Sequence, residues 1–144
     1  MPGSLCAVQV LAVFPAAEDR RSFWEKFPRS KWKLRMVGSL EKARKYLEDP
    51  HIRVVITESE LPGARGWKDV LEAARCAPGS PQVIVTSRLA DERLWAEVLN
   101  IGGFDVILKP FVEQELSYVI GLAWRSWRQQ APYALPAKAL AASA

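Results

Sequence analysis

Side chains able to do chemistry gather at a few points along this 144-residue sequence. The β-branched run Ile52 to Thr57 leads into Glu58 and Ser59, the run Gln82 to Thr86 into Ser87, and Phe104 to Leu108 into Lys109-Pro110-Phe111. An acid, an amine and several hydroxyls at the ends of three apolar runs could bind an ion or move a proton. The first apolar run behaves differently, ending in Phe14 and Pro15, which carry no side-chain oxygen. No nucleophile–base pair is visible. His51 is the only histidine, which excludes a multi-histidine metal site, and Cys6 and Cys76 lack the CxxC spacing of zinc sites and disulfide frameworks. Two buried or half-buried free thiols in a reducing cytoplasm are expected, with no metal and no cofactor.

The elements that must position these groups follow from periodicity. Val8 to Phe14 reads as a strand covered on both faces. Ala17 to Phe27 reads as a helix with Phe23, Trp24 and Phe27 at helical spacing, stopped by Pro28. Lys31 to Val37 alternates: Trp32, Leu34 and Met36 face one way and Lys31, Lys33 and Arg35 the other, as on an exposed edge strand. Ser39 caps a helix whose inner face is Leu40, Ala43 and Leu47, ended by Asp49-Pro50. After strand 52–57 comes a turn-rich loop with Leu61-Pro62-Gly63 and Gly66. Helix Trp67 to Cys76, strand Gln82 to Thr86, helix Asp91 to Asn100, strand Phe104 to Leu108 and a long helix from Val112 to about Arg128 complete the order. Five strands alternating with five helices imply a doubly wound parallel sheet. In such a sheet the functional crevice lies beyond the carboxyl ends of the strands, where Glu58, Thr86 and Lys109 sit.

Composition agrees with one globular domain, since about half the residues are hydrophobic and a quarter charged. The expected division is a domain over 5–128 and an Ala- and Pro-rich tail or linker over 129–144. Ala7 to Phe14 is apolar, but no Lys or Arg precedes it and Gln9 interrupts it, so a buried strand is expected rather than a signal peptide. No apolar run reaches membrane-spanning length, and a cytoplasmic location is expected. The formal charge of +4 comes from scattered basic residues. There is no recognition-helix motif, so nucleic-acid binding is not expected.

In its motifs the chain resembles the receiver domains of bacterial two-component response regulators. The resemblance runs from about Ala7 to Arg128. It rests on Glu58-Ser59-Glu60-Leu61-Pro62-Gly63 with Gly66, on Val83-Ile84-Val85-Thr86-Ser87, and on Gly103-Phe104-Asp105-Val106-Ile107-Leu108-Lys109-Pro110-Phe111. It implies a flavodoxin-like sheet of order 2-1-3-4-5. It also implies that Glu58 stands at the phosphoacceptor position, Phe14 and Pro15 at the acidic pair that helps hold Mg²⁺, Thr86 and Val106 at the switch positions, and Lys109 at the family's lysine. The Lys109–Pro110 bond is expected cis. These departures argue against phosphorylation. Mg²⁺ wants oxygen ligands, commonly one or two carboxylates with waters. The extra methylene of Glu58 displaces its oxygens by about an ångström. Glu58 either reaches Lys109 and the Thr86 hydroxyl, imitating a modified Asp, or points into solvent.

The resemblance also implies a partner or homodimer face on the last two helices and the fifth strand. Trp95, Tyr118, Leu122, Trp124 and Arg125 are candidates there, aromatics with Arg being frequent interface anchors. The other reading of the six tryptophans is that they complete the core, and Trp24 and Trp32 are expected to be core or sheet-facing. Leu116, Ile120, Ala123 and Trp127 are expected inward. The leading expectation is a non-enzymatic, phosphorylation-independent receiver-like interaction module. The alternative is a small-ligand-binding or enzymatic flavodoxin-like domain. Against it, Phe14-Pro15-Ala16-Ala17-Glu18 has no glycine and carries an acid where a phosphate cradle would lie.

Overall fold

A computed structural model describes residues 9–89 and 92–130. Its strands are β1 (Gln9–Val13), β2 (Lys33–Val37), β3 (Ile52–Glu58), β4 (Gln82–Ser87) and β5 (Asp105–Leu108). Its helices are α1 (Ala17–Lys26), α2 (Leu40–Tyr46), α3 (Trp67–Arg75), α4 (Glu92–Ile101) and α5 (Glu113–Gln130). The strands pair in parallel in the order β2-β1-β3-β4-β5, as expected. The loop after β3 closes on itself as a two-residue antiparallel ribbon, Glu60–Leu61 against Arg65–Gly66, where only a turn was expected. Cys6, Val8, Asp91 and the segment after 130 lie outside the described residues.

Alternation along the strands sorts side chains onto two cores. Leu11, Val13, Val55, Val83 and Val85 pack under α2, α3 and α4, with Leu40, Ala43, Trp67, Val70 and Val98. Val10, Ala12, Phe14, Val54, Ile56, Ile84 and Ile107 pack under α1 and α5, with Phe23, Phe27, Leu116, Ile120 and Ala123. Ile52 and Val54 lie in opposite cores although two residues apart. The register explains this: Gln9 pairs with Ile52 and Val10 with Val54, so Arg53 is an extra, bulged residue.

Arg53 uses that freedom to lie 4.1 Å over the Trp127 ring, which stacks on Trp124 at 5.5 Å. The Trp127 indole N–H donates to the Gly79 carbonyl at 2.6 Å. These contacts pin the last turns of α5 across the amino end of the sheet. Trp24 departs from the expectation of a core or sheet-facing residue: Phe23 and Phe27 are buried, whereas Trp24 is 44% exposed with the Arg29 guanidinium 4.4 Å above it. The i, i+4 pair fills the stripe, and the residue one step on turns about 100° away from it. Trp32 packs half-buried against the same cluster. Cys76 is exposed, contrary to the expected burial, because it follows the last turn of α3.

Candidate functional site

The sheet registers bring the candidate residues to one end. Glu58 pairs with Thr86 across β3 and β4, Val13 pairs with Thr57, and Ser87 pairs with Leu108, after which Lys109 N–H donates to the Ser87 carbonyl. The alternation that puts Ala12, Ile56, Ile84 and Ile107 under α1 and α5 puts the next same-face residues there too. These are Phe14, Glu58, Thr86 and Lys109. Val106 falls on the other face, half-buried against the core beneath α4. The Lys109–Pro110 bond is cis.

At this end Lys109 lies between two carboxylates. Its Nζ is 2.7 Å from Glu58 Oε1 and 3.0 Å from Asp19 Oδ2. All three side chains are well shielded, at 9% exposure for Lys109, 16% for Glu58 and 12% for Asp19. The Thr86 hydroxyl donates to the same Glu58 Oε1 at 3.1 Å, and Ser59 Oγ lies 3.4 Å from Oε2. Of the two orientations open for Glu58, the structure has the inward one. Ion pairs with this little solvent are screened far less than surface pairs. Both carboxylates accept charge-assisted hydrogen bonds from one ammonium, the stronger kind.

Asp19 was not among the residues singled out from sequence. It sits in the first turn of α1 beside Glu18, where the positive end of the helix favours carboxylates. Its signal was an acid on the inner side of an amphipathic helix, four residues before buried Phe23. Arg20 was missed as well. Its Nη1 donates to the carbonyls of Phe14 and Pro15 at 2.6 and 2.9 Å and so ties α1 to the end of β1.

Phe14 is fully buried and its ring lies 5.1 Å from Phe23 and 5.6 Å from Phe111. Where the first strand ends, an aromatic cluster therefore fills the space. A cavity of about 410 Å³ opens outward from Lys109, lined by Glu18, Asp19, Ser22, Arg88, Pro110 and Phe111. Arg88 and Glu18 face each other across it at 3.8 Å, both exposed. Among the described residues no three His, Cys, Asp or Glu side chains converge as a metal site would require.

Of the candidate partner-face residues, Trp95 and Tyr118 are 51% and 65% exposed and Arg125 is exposed. Leu122 is half-buried. Trp124 is also half-buried and lies in its stack with Trp127, with Arg128 on its ring at 5.7 Å. Sequence reasoning missed Leu89, Leu108 and Val112, which stand exposed in the same region.

Neither a family model nor a curated protein matches the sequence. Solved structures do resemble it. The signal receiver domain of an HD domain-containing protein from Pseudomonas fluorescens Pf-5 superposes with TM-score 0.73 at 19% identity, over 85% of this chain and 98% of that one. A CheY-like response regulator receiver domain protein from Methanospirillum hungatei JF-1 gives 0.73 at 16% identity, over 87% and 99%. NtrX from Brucella abortus gives 0.75 at 20% identity, over 89% of this chain but 29% of its own length. The chain has the receiver-domain fold.

Proposed function

We propose that this chain is a member of the receiver family that signals by binding a protein partner, and that it neither accepts a phosphoryl group nor holds Mg²⁺. The observation that carries this reading is Lys109 held between Glu58 and Asp19. The Mg²⁺ implied by the fold family does not fit the residues present. Phe14 is packed among aromatic rings, Pro15 offers no side-chain oxygen, and the two carboxylates nearby already share an ammonium. A divalent cation on these oxygens would stand against the Lys109 ammonium, and a Lys109 displaced by it would lose its partners in a shielded place. Without a cation, the charge that develops on a transferring phosphoryl group has no main stabiliser. Glu58 Oε1, bound to both Lys109 and Thr86, is engaged in structure rather than free for attack.

The same contacts support a fixed state. The Thr86 hydroxyl is drawn to Glu58 by a hydrogen bond that needs no modification. The domain then presents one surface continuously, and Leu89, Trp95, Leu108, Val112 and Tyr118 on α4, β5, α5 and their loops offer apolar area for a protein partner or a second copy. Activity as an enzyme is not part of this reading, and neither is a membrane location: no helix among the described residues is long and apolar enough to cross a bilayer. The cytoplasm suits it. The test is incubation with Mg²⁺ and acetyl phosphate followed by intact mass. No phosphoryl adduct is expected, and a stable adduct on Glu58 would refute the proposal.

A further inference from the structure

Residues 17–49 carry ten Lys and Arg against six Asp and Glu, a difference equal to the net charge of the whole chain. The basic excess therefore belongs to one edge of the molecule, α1, β2 and α2. Part of it converges. A groove of about 550 Å³ lies at the carboxyl end of β2, lined by Arg20, Met36, Val37, Gly38, Lys42, Lys45 and Tyr46. Lys42 and Lys45 stand three residues apart and Lys42 and Tyr46 four apart on α2, so all three share a face. Arg20 approaches from α1.

None of these three cations has a carboxylate partner among the described residues, and no acid lines the groove. Three of the six acids of this edge pair elsewhere: Asp19 with Lys109, Glu18 with Arg88, and Asp49 with His51. Arg20 is also preorganised. Its Nη1 is spent on the Phe14 and Pro15 carbonyls, which fixes the guanidinium plane. Its Nε and Nη2 hydrogens, among the five donors of a guanidinium, are left for a ligand. Gly38 leaves room for the approach: a Cβ there would come 3.2 Å from that Nη1. Met36 and Val37 supply an apolar floor, and the Tyr46 ring a wall that is 39% exposed.

We propose that this groove binds a phosphate-bearing small molecule of nucleotide size. Three unpaired cations call for a ligand with more than one negative charge. A phosphate ester carries about 1.5 to 2 near neutral pH, and its oxygens match the fork of an arginine. The volume lies within the roughly 300–1,000 Å³ of ligand pockets, and the floor and ring leave room for an organic part. The groove is separate from Lys109 and its carboxylates, so the proposal stands or falls independently of the signalling reading.

The test is calorimetric titration of the full chain with ATP, pyrophosphate, adenosine and citrate. ATP and pyrophosphate are expected to bind saturably, and adenosine and citrate not. A double variant, Lys42→Glu with Lys45→Glu, changes two exposed side chains. With melting temperature as the check on folding, it is expected to weaken ATP binding on the order of a hundredfold, since each of the two lost charge-assisted bonds is worth about tenfold. ATP binding tighter than pyrophosphate would set the organic part against Tyr46, and equal binding would set only phosphates in the groove; either supports the proposal. No saturable binding of ATP or pyrophosphate at millimolar concentration, equal binding by the double variant, or equal binding of citrate would overturn it. So would duplex DNA binding at physiological salt in preference to ATP.

Discussion

Lys109 is the side chain on which the proposed function turns, and the consequences of removing it are specific. It is the shared counter-charge of Glu58 and Asp19, at 2.7 and 3.0 Å. Lys109→Met would leave two shielded carboxylates facing each other with no counter-charge. Breaking a buried pair in this way costs about 3–5 kcal/mol. Asp19→Asn and Glu58→Gln each keep an amide oxygen for the ammonium and leave the other carboxylate in place. In urea denaturation Lys109→Met is therefore expected to be the least stable of the three, with the two amide variants losing roughly 1–2 kcal/mol. Phe14→Asp makes a related point. It places an acid at the end of β1 but drops it among Phe23 and Phe111. A loss of about 4 kcal/mol or more is expected in the same assay, rather than a new Mg²⁺ affinity.

Half of this arrangement was legible beforehand. Glu58, Thr86 and Lys109 each follow a short β-branched run, and the ends of parallel strands converge by geometry alone. Asp19 could not be read that way. It reaches the crevice from a helix, and the inward rotation of one acid out of Glu18 and Asp19 is set by how α1 packs on Phe23 and Phe27.

At the scale of elements, the sheet order and the two helical layers follow from strand alternation and helix spacing. What the pattern concealed was the bulge in β3. Ile52 to Thr57 reads as an uninterrupted strand, and only the pairing with β1 shows that Arg53 is the extra residue. The bulge has a role in holding α5, because it releases the Arg53 side chain to lie on Trp127. The end of α5 is then secured by that contact, by the indole bond to Gly79 and by Gln82 donating to Ser126 and Gln130. Trp127→Phe keeps an aromatic ring but leaves the Gly79 carbonyl without its donor. It is expected to lower global stability by roughly 1–2 kcal/mol. The amides of the last two turns of α5 should exchange faster, by hydrogen exchange, while those of β3 and β4 change only with global stability. Trp124 and Trp127 thus answer partly to the reading that the tryptophans complete the fold, and Trp95 does not.

Taken whole, the molecule has two unlike edges. The β2 side is basic and polar, and the β5 side exposes Leu89, Trp95, Leu108, Val112 and Tyr118. The exposed apolar side chains could be located only in part from sequence: the expected order already made β5 an edge strand, but not which of its apolar residues would stay uncovered by α4 and α5. A second copy on this face would give a dimer in sedimentation velocity, and replacing Trp95 and Tyr118 by Glu is then expected to return it to monomer without lowering the melting temperature, both side chains being mostly in solvent. An unchanged sedimentation profile would remove a homodimer from the account.

The most direct measurement follows the backbone amides of Glu58, Ser59, Thr86 and Lys109 by NMR while Mg²⁺ and beryllofluoride are added. With an internal ammonium already lodged between the two acids, those resonances should stay where they are apart from small ionic-strength drifts. A saturable displacement of these signals that needs both additives would mean that Lys109 yields its place, and the chain would then have to be regarded as a working phosphoacceptor.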